Sequence, residues 1–191
     1  MTWLPYRHVS FDILNEAQHE SWPALAPSII QAIRAVDPSR IIIYEPPPQA
    51  SPSAFAQMTP LPFDGIVYST HMYEPHEFTH QGIYDNLVPP AFQPGAATAC
   101  LQPVVDFQSR YNVPIYVGEF GCVRWAPHRL DYLTEVVKVC QAQGWGWSYH
   151  AWEEWDAWDA QCNADRNDPT RRADEPSYVL LTRALLGYTL G

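Results

Sequence analysis

Two strings in this sequence end in a carboxylate that is costly to place: Phe11-Asp12-Ile13-Leu14-Asn15-Glu16 and Ile115-Tyr116-Val117-Gly118-Glu119-Phe120-Gly121. Each is an apolar, β-prone run with a glutamate just before turn residues. A carboxylate at the C-terminal end of a buried strand loses hydration, so it persists where it is paired, hydrogen-bonded or used. Two of them on separate strands can divide the work of opening an acetal. One protonates the departing oxygen while the other attacks the anomeric carbon, with the carboxyls about 5–5.5 Å apart when configuration is retained.

The surrounding elements must present those carboxylates together, and their order is strand then helix, repeated. Val9–Asn15 reads as a strand. Pro27 to Val36 has apolar residues at helical spacing and stops at Asp37-Pro38, as proline requires. Arg40–Tyr44 is a β-branched run, apolar on both faces as a covered parallel strand should be. A proline-rich loop from Pro46 to Pro62 leads to a strand over Gly65–Tyr73, and a long polar loop follows through His80 and Gly82. A helix over Ala97–Tyr111, a strand over Val113–Gly118, a helix over Leu130–Gln143 capped by Gly144, and a strand over Trp145–Tyr149 complete the alternation. Ser177–Leu186 reads as a closing helix. Five strands separated by helices imply parallel βα units.

Composition sets the outer limits. The chain has 191 residues, 47% hydrophobic and 14% aromatic, with eight Trp and eleven Tyr. That suffices for one core, and the same rings suit either dense packing or stacking on sugar faces. The net charge is −10, and the basic residues nowhere cluster beyond Arg171-Arg172, so neither nucleic acid nor an anionic membrane surface is an expected partner. No apolar run is long enough to span a bilayer, and the N-terminus shows no secretory signal, which leaves the compartment unassigned. Cys100, Cys122, Cys140 and Cys162 stand 22, 18 and 22 residues apart, which excludes paired CxxC metal or redox motifs. Buried thiols are expected over one or two disulfides. The hydrophilic stretch from Asn163 to Glu175 holds Asp165, Asn167 and Asp168 but lacks the glycine of a calcium loop, so it reads as a solvated loop. His76 and His80 lie in the loop after Tyr73 with no third ligand in view, so no metal is expected there. No cofactor is expected either.

Asn15-Glu16, His71-x-Tyr73, Gly118-Glu119-Phe120-Gly121 and the aromatic last strand, taken in order, resemble glycoside hydrolase family 5, the cellulase-type (β/α)8 barrels. The resemblance runs over nearly the whole chain. It implies a retaining hydrolase of β-linked glucan- or mannan-type glycans, with an oligo- or polysaccharide as partner. In that reading Glu16 is the acid/base at the end of the fourth barrel strand and Glu119 the nucleophile at the end of the seventh. The role requires Glu16 to hold a proton while Glu119 stays charged. Asn15 would bond the sugar 2-hydroxyl, Tyr73 would donate to Glu119, and His71 would share the Tyr73 face of its strand. Trp152 or His150 would fill the platform position of the last strand, with Trp152 favoured.

A complete barrel needs eight βα units and about 250 residues. The sequence therefore reads as a single partial (β/α)-barrel domain over residues 1–191, about five of eight strands, lacking the first three units. Open edges on the Val9–Asn15 and Trp145–Tyr149 strands would need cover, and a homo-oligomer would supply it. Two other readings stay open. One is a catalytically impaired fragment that still binds glycan. The other is an unrelated enzyme with Cys122 as nucleophile beside His128 or His150.

Overall fold

The computed structural model describes residues 9–84 and 91–168, together with Val179. Five strands lie in one sheet of order β1-β2-β3-β4-β5, joined by connections that hold α-helices, except that between β2 and β3, which holds a 3-10 turn at Pro52–Ala56. The strands are β1 (Phe11–Asp12), β2 (Ile42–Tyr44), β3 (Ile66–Met72), β4 (Ile115–Phe120) and β5 (Gly146–Tyr149). The helices are α1 (Trp22–Val36), α2 (His76–Thr79), α3 (Ala96–Tyr111) and α4 (Arg129–Gln143). The pairs β1–β2 and β2–β3 are parallel, with Phe11 opposite Ile42 and Ile42 opposite Ile66. The chain divides into two compact units, Met1–His71 with Gln102–Tyr116, and Met72–Leu101 with Val117–Gly191.

In the first unit, α1 turns Trp22, Ala26 and Ile30 inward at i, i+4 and i+8, the spacing of one helical face. Trp22 stacks on Tyr44 at 6.0 Å between ring centres, Tyr44 meets Tyr68 edge-on at 6.1 Å, and Tyr68 meets Phe107 of α3 at 5.1 Å. This aromatic file is the core of the unit. Arg40 is buried, and its Nε reaches Asp37 at 2.6 Å, which offsets the cost of desolvating both charges. The start of β4 joins this unit through the Tyr68 amide, which donates to the Pro114 carbonyl at 3.0 Å.

The second unit is built around α4, which buries Tyr132, Leu133, Val136, Val137 and Cys140. The Tyr132 hydroxyl donates to the Met72 carbonyl at 2.9 Å, so its one polar atom is satisfied. Phe120 packs edge-on against Trp147 at 5.6 Å and Tyr149 at 5.8 Å. The His150 amide donates to the Phe120 carbonyl at 3.0 Å, tying β4 to the end of β5. Arg124 is wholly buried and donates to the carbonyls of Asn163, Asp165 and Arg166, fastening that loop.

The boundaries differ from expectation in instructive places. β1 is two residues rather than seven, because Glu16 turns the chain with φ of 48° and β2 is its single partner among the described residues. α1 begins at Trp22, five residues before Pro27, because burying the Trp22 ring draws the preceding turn into the helix. The loop after Tyr73 contains the one-turn helix α2. β4 runs through Glu119 to Phe120, and β5 starts at Gly146 and, as expected, ends at Tyr149. The expected closing helix at Ser177–Leu186 lies outside the described residues, apart from helical Val179.

Candidate active site

In the first unit the chain leaves β1 and turns sharply at Glu16, whose φ of 48° lies in the left-handed region a residue with a β-carbon seldom adopts. Such a conformation costs on the order of 1–3 kcal/mol and persists where its surroundings fix it. Glu45, the residue after β2, supplies the fixing contact. Its Oε2 accepts the Glu16 amide at 2.7 Å. From β3, His71 lies between the two glutamates, with Nδ1 2.9 Å from Glu16 Oε1 and Nε2 2.9 Å from Glu45 Oε1. The His71 side chain is 2% exposed and that of Glu45 1%, whereas that of Glu16 is 32% exposed and reaches solvent. Asn15 is exposed beside it.

The Glu45 carboxyl is subject to opposing influences. Burial works to raise its pKa, but the hydrogen bonds from His71 and the Glu16 amide outweigh that and hold it below the usual carboxylate range. Asp12, on β1, takes the opposite course. Partial burial and then the neighbouring Glu45 charge push it up to about 6. Ser69 adds a longer contact to Glu45 Oε1 at 3.5 Å, and the Trp22 indole holds the Glu45 carbonyl at 2.9 Å.

In the second unit the Tyr73 hydroxyl donates to Glu119 Oε2 at 2.8 Å. Tyr73 is braced by ring contacts with His80 at 5.5 Å, Trp158 at 5.9 Å and His150 at 6.4 Å. Gly121 is required after Phe120, since a β-carbon there would stand 2.3 Å from the His150 carbonyl oxygen. His150 is half-buried and its Nε2 pairs with Glu154 at 2.6 Å. Trp152 is 55% exposed. With β5 ending at Tyr149, strand alternation does not place Trp152 and His150 on one face. The rings of His76 and His80 stack at 3.9 Å.

Each unit thus gathers part of the expected set: Glu16 with His71 in one, Glu119 with Tyr73 in the other. Sequence reasoning missed Glu45 and Asp12. The signal for Glu45 was present, because Ile41-Ile42-Ile43-Tyr44-Glu45 is a third apolar run ending in a glutamate. The expected strand ends at Tyr44 and the proline-rich loop begins at Pro46, so Glu45 is assigned to neither. Cys122 is buried, and that burial pushes its thiol up to about 12, which removes it as a nucleophile near neutral pH. All four cysteines are thiols.

The family model for cellulase, glycosyl hydrolase family 5, matches residues 5–158. Endoglucanase 3 of Fibrobacter succinogenes is 27% identical over 194 aligned residues, covering 76% of this chain and 30% of that protein. The structure of a hyperthermophilic endo-β-1,4-glucanase in complex with substrate superposes with a TM-score of 0.72 at 26% identity, covering 94% of this chain and 59% of that one. Cel5A of Thermotoga maritima, solved with mannotriose, gives a TM-score of 0.72 at 25% identity, covering 92% of this chain and 58% of that one. The chain therefore spans between about a third and three-fifths of the length of these relatives. Its strands and helices are (β/α) units of a TIM barrel, and with its family model matched across most of its length, the chain belongs to glycosyl hydrolase family 5.

Proposed function

We propose that this chain hydrolyses β-linked glucan- or mannan-type glycans by double displacement, with Glu119 as nucleophile and Glu16 as acid/base. The observation that carries the reading is the hydrogen bond from the Tyr73 hydroxyl to Glu119. A phenol donor favours the ionised carboxylate and orients it. Glu16 suits the complementary role, its side chain partly exposed and its backbone amide held by Glu45.

The glycosidic oxygen takes a proton from Glu16 as Glu119 closes on the anomeric carbon, giving a glycosyl ester and a released aglycone. Esterification neutralises Glu119, and Glu16, now ionised, takes a proton from water that opens the ester. Asn15 would hold the 2-hydroxyl, and Trp152 and His150 would line the sugar cleft. The choice of glycan follows from what relatives bind: one is solved as an endo-β-1,4-glucanase with substrate, another with mannotriose. A second copy of the chain is proposed to cover the open β1 edge.

Reducing-sugar release from β-glucans and β-mannans, compared with Glu119→Gln and Glu16→Gln, tests the reading. Turnover by the wild type that each variant lowers at least a thousandfold is the expected result. A folded wild type that retains glycan without cleaving it would replace this reading with a binding fragment, which the partial span of the relatives makes the specific alternative.

A further inference from the structure

Glu45 follows β2, buried, with Oε2 accepting the amide of the acid/base Glu16 and Oε1 facing His71, the histidine that contacts the Glu16 carboxyl. A buried anion that only filled space would be unfavourable against a neutral residue of its size. This one is aimed. Oε2 captures the Glu16 amide, which holds the residue in its left-handed conformation, and Oε1 faces His71 Nε2. The titratable groups facing Glu45 are Asp12 from β1, Glu16 from the following turn and His71 from β3, while α1 contributes the neutral Trp22 indole.

We propose that Glu45 is a positioning residue for Glu16, acting through His71 and through the Glu16 backbone. Its carboxylate takes the hydrogen bond of the Nε2 proton, which fixes one imidazole tautomer and turns Nδ1 to Glu16 Oε1. Its negative charge then favours retention of a second proton by the His71–Glu16 couple. That second proton passes from Glu16 to the departing oxygen as the glycosidic bond breaks. The couple regains one proton from the attacking water in the second step, so the cycle closes with no net change. A neutral residue in place of Glu45 would leave the couple with one negative neighbour fewer, and it would release its proton at lower pH. This inference rests on the reading of Glu16 as proton donor.

The test is an imidazole nitrogen titration by long-range proton–nitrogen NMR on the 191-residue chain, in the wild type and in Glu45→Gln. In the wild type His71 should carry its proton on Nε2, and its couple with Glu16 should keep the second proton to a pH about one unit higher than in the variant. An unprotonated Nε2 in the wild type, or identical titrations in both proteins, overturns the proposal. Should Glu45→Gln fail to fold, the wild-type tautomer alone decides it. In activity, the alkaline limb of kcat/KM should move down by the same interval with KM nearly unchanged, and a lowered kcat with an unmoved limb would again overturn it. A wild type without hydrolytic activity removes the functional reading, and the imidazole spectra still decide the role of Glu45.

Discussion

At the scale of the residue, the site depends on a few hydrogen bonds to charged oxygens, and these give measurable energies. Tyr73→Phe deletes one donor to the Glu119 carboxylate while leaving the ring contacts in place. A hydrogen bond to a charged group contributes about 1.5–3 kcal/mol, so kcat for an aryl cellobioside should fall by roughly ten- to a hundredfold. A rate within twofold of wild type would count against Glu119 as nucleophile. Asp12 offers a separate measurement of stability. Its folded pKa is raised to about 6 from an ordinary carboxylate value, so the folded state favours the protonated form. The stability it contributes is complete below about pH 4 and is lost as pH rises to about 6. Asp12→Asn should flatten that decline in melting temperature between pH 4 and 6, and an unchanged slope would contradict the Asp12–Glu45 contact. As candidates, Glu16, Glu119, His71 and Tyr73 were legible because strand-end carboxylates and a two-residue period follow from local rules. Glu45 was not. Its partners are a residue 29 positions earlier and a histidine on the next strand, and those contacts exist only once the chain has folded.

At the scale of the element, the alternation of strands and helices was readable because apolar period and proline punctuation act locally. Element ends were less so, since tertiary contacts settle them. Burial of Trp22 extends α1 backward past a proline, and the turn at Glu16 shortens β1. Gly121 is an intermediate case. Its presence in the Gly-Glu-Phe-Gly run was plain, but its reason is the close approach of the chain just beyond β5. Adding a methyl at this position sets a β-carbon against a main-chain oxygen that cannot swing aside. Gly121→Ala should therefore force β4 and the residue after β5 apart at the strand end that carries Glu119. Overpacking of this kind costs about 1–3 kcal/mol, and a melting temperature equal to wild type would show that the two segments do not meet. Gly144 gives the contrasting control, because it closes α4 with φ of 72° and has open space where a side chain would project. Gly144→Ala should cost about 1 kcal/mol through backbone conformation alone.

At the scale of the whole molecule, what stands out is an apolar margin on a strongly acidic chain. Val9 is 40% exposed, Phe11 42%, Leu14 44% and Ile41 44%, all on or beside β1, the first strand of the sheet order. A two-residue edge strand offers little ladder to a partner, so association there must come from side chains rather than from main-chain pairing. A net charge of −10 opposes the approach of a second copy, and salt screens that repulsion over about 8 Å at physiological strength. The two effects predict a distinctive response. Self-association should strengthen as salt rises, since the repulsion fades while apolar burial does not. Phe11→Glu should weaken it, because an exposed apolar ring is lost and two added carboxylates would face each other across an interface of like copies. Sedimentation velocity across a concentration and salt series reads both trends. A monomer at every salt concentration would show that no second copy covers this margin, and association that weakens with salt would assign it to charge pairing instead.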